Sequence, residues 1–275
     1  MRGFWQHFLV TLLLNCRNVQ ALVFGYGVPV FFLVAFAAVF GHDAKRLSEV
    51  MGQLMTISAL GGACFGLPIA MVSERDRGVW RRYRLTPLGS GWFLVSTMLA
   101  RYVLVLSSAG LQFVLALVVY RMPFPLYPFE MLLAFTCAAF AFIGIGLIIA
   151  SLANSIGSVQ ALGQSLFLPM IMIGGVGIPL HVLPGWAKQV SLFLPGRYAV
   201  DAIENAFRAG GLSRDYYSLA ALLLIGVAAT IAGWKLFRWE SSARLERHAV
   251  WWILLAVGVW VLSGTIALAF HLAPG

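Results

Sequence analysis

The chain has 275 residues and a formal charge of +9, and it is 61% hydrophobic with only 11% charged residues. Soluble domains carry about 25% charged residues. This deficit, a mean hydropathy of +0.88 and several apolar runs of about 20 residues exclude a soluble enzyme and specify an all-α integral membrane protein, a polytopic helix bundle. The positive charge fits Lys and Arg gathered at cytoplasmic flanks against anionic headgroups. It does not fit nucleic acid, because there is no basic groove or soluble module to hold one.

Residues 4–14 are too few to cross a hydrocarbon core of about 30 Å. Their aromatic-rich face, followed by Asn15, Arg17 and Asn18, predicts an N-terminal helix lying in the membrane interface. A first span follows over residues 21–40, with Pro29 as a kink, and a second over 50–72. In the second, Ser58, Gly62 and Gly66 form a small-xxx-small face that permits close helix approach.

Residues 73–91 are densely charged and must stand in water. Ser73 with Asp76 matches a capping box that would start a helix there, and Thr86–Pro87 would end it. On such a helix Arg77, Arg81 and Arg84 form one positive stripe, beside Trp80, Tyr83 and Pro87. That surface fits either a partner contact or an arginine helix that meets headgroups and fixes topology.

The third span, 92–120, carries Arg101, which sits either at the headgroup level or buried in the bundle; the first is expected, because snorkelling satisfies it there. A Pro-rich turn over 121–128 leads to a fourth span at 129–152 and a fifth at 158–178, broken at its end by Gly174, Gly175, Gly177 and Pro179. Helices starting at Pro184 and Pro195 are each too short to span, and predict a re-entrant helix pair before the sixth span. The sixth span is 216–237, and 250–270 is a charge-free seventh. With the N-terminus cytoplasmic, inner segments hold eleven Lys and Arg and outer segments seven. This places the charged segment inside and the C-terminus outside.

No intrinsic catalytic site is found, so the chain is not expected to be an enzyme. A P-loop needs Gly immediately before its Lys, but Lys45, Lys188 and Lys235 follow Ala44, Ala187 and Trp234. The five histidines and three cysteines show no metal-ligand spacing. Ionisable groups deep in spans, which ion-coupled transporters use, are nearly absent. Uphill transport would need an external motor.

The residues Glu74, Arg75, Asp76, Arg77 and Gly78 after the second span, followed by Leu85, Thr86 and Pro87, resemble the membrane subunits of type 2 ABC exporters. The usual pattern there is close to E-R-E-x-G-T, with T-P beyond; Val79 stands in place of the Thr. Pro184, Trp186, Pro195, Tyr198, Ala199 and Asp201 resemble the family's P-x-W…P-x-x-Y-A-x-x-A signature. The resemblance covers about residues 1–240, taken as one transmembrane domain of six spans. Residues 241–275 form a linker and the extra span.

The resemblance implies an export permease of the bacterial inner (plasma) membrane. It would work as a homodimer with a cytoplasmic P-loop ATPase that binds ATP and Mg, this chain itself binding no cofactor. Glu74, Arg75, Asp76, Arg77, Gly78, Arg81, Arg82 and Arg84 would make the ATPase-coupling helix. The short helices would sit at the outer mouth, with Pro195, Arg197, Tyr198, Asp201, Glu204 and Arg208 as outer-gate candidates. Arg197, Asp201, Glu204 and Arg208 fall on one stripe, either an ion-paired face in water or a gate. The alternative function is an ATPase-independent membrane transporter or assembly scaffold.

Overall fold

A computed structural model describes residues 2–17, 19–39, 44–80, 89–208, 211–239 and 249–270. Among these, every regular element is helical. In chain order they are α1 (Arg2–Cys16), α2 (residues 19–39), α3 (Ala44–Glu49), α4 (Met51–Asp76), α5 (Ser90–Val118), α6 (Pro128–Leu152), α7 (Ile156–Met172), α8 (Gly185–Ser191), α9 (Pro195–Asn205), α10 (Tyr216–Leu236) and α11 (Ala249–Phe270). Five of these, α4, α5, α6, α10 and α11, are long and apolar enough to cross a membrane. Gly25–Val39 within α2, and α7, are shorter apolar helices. The run expected to span to residue 178 stops at Met172, because Gly174 and Gly175 follow and Gly175 takes φ +77°, a left-handed conformation that suits glycine.

The bundle is built around α4, whose apolar stretch is buried almost completely. A helix apolar on every face is stable only when other helices surround it. Its small-residue face meets α5 as the spacing anticipates. Ser58 Oγ donates to Gln112 Oε1 at 2.8 Å, Gly62 lies against Val105 and Gly66 against Arg101. On another side Gly146 of α6 presses on the backbone carbonyl of Ala63. The α6–α10 seam uses the same device: Gly144 meets Ala229, Gly226 meets Phe140, and Gly233 meets Leu147.

α2 and α4 each contain one π-helical segment, Val23–Gly27 and Gly62–Gly66. Each ends in an aromatic–Gly–aliphatic–Pro run, Tyr26-Gly27-Val28-Pro29 and Phe65-Gly66-Leu67-Pro68. Proline has no N–H for the carbonyl four residues back and its ring clashes there, so the helix widens by one residue. Expected as a kink, Pro29 instead follows a π segment by two residues. The Gly25 carbonyl, deprived of its helical donor, accepts from Ser108 Oγ of α5.

α1 is polar inward and apolar outward. His7, Thr11 and Asn15 are buried, while Trp5, Leu9 and Leu13 on the opposite face are exposed. His7 Nδ1 lies 2.6 Å from Ser96 Oγ of α5. Burial lowers the His7 pKa to about 4.

No helix starts at Ser73. α4 runs through it to Asp76, and the Ser73 carbonyl accepts from the Arg77 N–H at 3.1 Å. Gly78, at φ +71°, then ends the helix with its N–H on the Arg75 carbonyl at 3.0 Å, a glycine C-cap. The apparent capping box is a helix end, because the apolar run carries helical bonding past Ser73 until Gly78 breaks it. Arg77 therefore lies at the end of α4, directly before the break at Gly78. Arg81, Arg84, Arg82, Tyr83 and Thr86–Pro87 lie outside the described residues.

Candidate functional site

The described members of both candidate groups lie at or against the ends of α4. Gly52 and Glu74 are 22 residues apart, or about 33 Å along the helix, close to the thickness of a bilayer core of about 30 Å.

At the C-terminal end, Arg75 is turned inward. It is 7% exposed and its Nη2 donates to the Ala153 carbonyl, the C-cap of α6, where a cation complements the helix dipole. Its guanidinium also lies over the Trp80 ring, 5.8 Å from the centroid. Trp80, expected on an exposed contact stripe, is 1% exposed. It sits among Phe93, Phe237 and Trp239 at ring separations of 5.5, 5.1 and 6.3 Å, and its Nε1 donates to Glu74 Oε2 at 3.3 Å. A long aromatic run beside an arginine suits a core anchor as well as a contact surface, and here it is the anchor. Among the described coupling candidates, Asp76 and Arg77 are exposed, Glu74 and Gly78 half-buried.

One residue that the motifs do not mark organises this end. Arg101 is 5% exposed, not at a headgroup level. Its Nη2 donates to Asn15 Oδ1 at 2.5 Å and to the Gly66 carbonyl at 2.6 Å. It thereby ties α1, the π segment of α4 and α5 together. Its place in α5 was a usable signal: eleven residues from Ser90 is about 16 Å along the axis, which is deep for snorkelling. Beside this cluster lies a cleft of about 560 Å³ lined by Asn15, Arg17, Ser73, Glu74 and Arg77 on its polar side.

At the N-terminal end of α4, α9 is buried along nearly its whole length. Gly52 leaves room for it: a Cβ there would come within 2.5 Å of Glu204 Cγ and 2.8 Å of the Val200 carbonyl. Gln53 Nε2 donates to the Gly175 carbonyl at 3.0 Å, bringing in the break after α7. Arg197 is 3% exposed. Its Nη1 donates to the Lys188 carbonyl at 3.0 Å and to Ser191 Oγ at 2.8 Å, and its Nε is 3.6 Å from Asp201 Oδ2. Glu204 pairs with the exposed Arg208 at 3.1 Å.

The stripe is therefore not a water-facing surface: Arg197 and Asp201 point into the protein and only Arg208 is exposed. Burial raises the Asp201 carboxyl to about 7 despite the opposing pull of Arg197. Burial, with Asp201 adding repulsion, raises Glu204 to about 8. Pro195 starts α9, a position proline favours. The Tyr198 hydroxyl donates to the Leu192 carbonyl, which fixes the α8–α9 turn. Among the described residues, no group of three or more His, Cys, Asp or Glu is placed to hold a metal ion.

The profile of the family described as "ABC-2 type transporter" matches residues 4–207, from α1 to just past α9. A protein of Bacillus subtilis (strain 168), "Putative transport permease YvfS", is similar at 24% identity over 186 residues. That stretch is 65% of this chain and 75% of the relative.

Proposed function

Because the chain belongs to the ABC-2 type transporter family, as a membrane permease subunit, we propose that it forms the substrate path of an ATP-driven exporter. Permeases of this family pair with ABC ATPase subunits, and in this reading a separate cytoplasmic ATPase, carrying ATP and Mg, docks on the segment that follows α4. Asp76 and Arg77 make its described part, and Arg81, Arg82 and Arg84 continue it. Glu74, Arg75 and Gly78 shape its base. Two copies of the chain assemble around the path in the inner membrane.

The observation that carries the reading is α4 itself. One buried rod bears the family motif at one end and seats the charged short helix α9 at the other, so displacement at the ATPase face reaches α9 through a single element. In this reading α2 and α7 also cross the bilayer, giving seven spans with α4, α5, α6, α10 and α11. α1 lies in the interface, where its outward Trp5, Leu9 and Leu13 meet lipid. α8 and α9 are the re-entrant pair at the outer mouth, with Asp201 and Glu204 on the gate. The Lys and Arg distribution puts the N-terminus and the motif inside and the C-terminus outside.

Co-purification tests the proposal. Tagged chain co-expressed with its cognate ABC ATPase brings that subunit down in mild detergent, together with nucleotide hydrolysis. Reversing charge at Arg77, Arg81 and Arg84 releases it while the permease keeps its melting temperature. An ATPase that never co-purifies, or that stays bound at wild-type yield to the charge-reversed chain, contradicts the proposal.

A further inference from the structure

α11 lies beyond the residues matched to the family, and it closes a cavity. The cavity measures about 200 Å³, with walls from α6, α7, α10 and α11. From α6 come four residues spaced i, i+3, i+4 and i+7, Ile145 to Leu152; α11 contributes four with the same spacing, Ile253 to Trp260. Each stripe runs about 10 Å along its helix, so about 200 Å³ over that length leaves a slot about 20 Å² in section. That is the girth of one extended hydrocarbon chain, and far narrower than a helix about 10 Å across.

The lining decides the chemistry of the occupant. Apart from the Ser165 hydroxyl and the Trp260 indole, it offers only hydrocarbon. Ser165 Oγ donates to the Leu162 carbonyl at 2.8 Å, and Trp260 Nε1 donates to the Phe193 carbonyl. Water would find too few partners there; an apolar cavity of about 150 Å³ in another protein stays dry and takes up benzene. The mouth is at the seam of α7 and α11, where Leu162, Ser165 and Val257 are exposed. On the α11 side the outward face is apolar, with Leu254, Val261 and Leu262 exposed, so that side of the mouth meets the bilayer; on α7 Leu168 is exposed together with Gln160 and Gln164. α11 is held in place at its far end: Tyr217 donates to the Ser263 carbonyl and Gly264 receives the Phe193 ring.

We propose that the slot between α11 and the α6–α7–α10 face is a binding site for a single acyl chain of a membrane phospholipid. The test uses the full chain in vesicles of phosphatidylethanolamine and phosphatidylglycerol, doped with a phospholipid carrying a diazirine at mid-chain. After irradiation, the labelled residues are mapped by mass spectrometry. Labelling concentrates on Ile148, Leu162 and Ile253, saturates with probe, and falls at least tenfold in Ala229→Leu and in Ala256→Leu, two fillings from different walls. Leu254→Ala, on the outward face, leaves it unchanged.

Two results overturn the proposal. One is labelling of the slot no denser than that of exposed Leu254 and Leu262, or undiminished in fillings that keep the wild-type melting temperature. The other is efficient disulfide formation between copies at Val257→Cys in a background without the native cysteines, which would put a second copy over the mouth.

Discussion

Replacing Arg101 by methionine keeps most of the side-chain volume and removes the donor that joins three helices. The Asn15 Oδ1 and the Gly66 carbonyl, now 2.5 and 2.6 Å from the guanidinium, both lose their charged partner. A buried acceptor left unsatisfied costs roughly 1–3 kcal/mol in soluble proteins. Between helices in membranes the measured average is nearer about 0.6 and the maximum about 1.7. Two such losses therefore amount to about 2 kcal/mol, or a fall of about 4–8 °C in the melting midpoint at about 2–4 °C per kcal/mol. With the exposed Cys16 replaced by Ser, a thiol-reactive dye reads this directly, because Cys64 and Cys137 are buried and free and react only on unfolding. Asn15→Leu in the same background should cost less than in the wild type, by about 0.5–1 kcal/mol of coupling. A midpoint for Arg101→Met within a degree of wild type, or strict additivity with Asn15→Leu, refutes the tie.

Gly146→Ala places a methyl against the Ala63 carbonyl, backbone that cannot move aside, and should lower the midpoint by an amount equivalent to about 1–3 kcal/mol. Gly66→Ala puts a methyl within 2.5 Å of the Arg101 guanidinium and displaces it from its bonds to Asn15 and Gly66, so it should cost about as much as Arg101→Met in the same assay, about 2 kcal/mol. Trp80→Ala empties a site that is 1% exposed and should cost about 3–5 kcal/mol. Trp80→Phe keeps most of the packing and retains most of that stability. Asp201 and Glu204, raised to about 7 and about 8, hold protons more tightly folded than unfolded. Their contribution is present below about pH 4 and is lost as pH rises through 7 to 8, so the wild-type midpoint falls over that window. Glu204→Gln flattens the profile; a midpoint that rises from pH 5 to 8 contradicts the assignment.

Long spans were legible because burial and lipid both demand apolar side chains, and residues 92–120, 129–152, 216–237 and 250–270 match α5, α6, α10 and α11 within about two residues. The Ser58–Gly62–Gly66 face was legible because closeness of backbones leaves a residue-size signature. Ser73 misled because a capping box and the last turn of a helix share the same residue types, and only the state of Gly78 separates them. Arg101 was misplaced because composition does not say whether a cation has a partner; Asn15, eighty-six residues away in sequence, supplies it. The stripe from Arg197 to Arg208 looked like a surface because charged residues usually are. Its inward turn depends on Gly52, a residue without charge or motif. The paired aromatic–Gly–aliphatic–Pro runs were readable, but the meaning of the first emerges only from the Gly25 carbonyl that Pro29 leaves to Ser108 of α5.

The central claim is that α4 carries motion from the ATPase face to α9. Reactivity at Glu204→Cys, in a background without native cysteines and with the ATPase subunit present, tests it most directly, since position 204 packs over Gly52. ATP with Mg should change the rate of labelling by an impermeant thiol reagent at least threefold, and Arg77→Glu should abolish that change without altering the rate in nucleotide-free protein. A rate indifferent to ATP in the wild-type complex, or an equal response when Arg77 is reversed, would contradict the account.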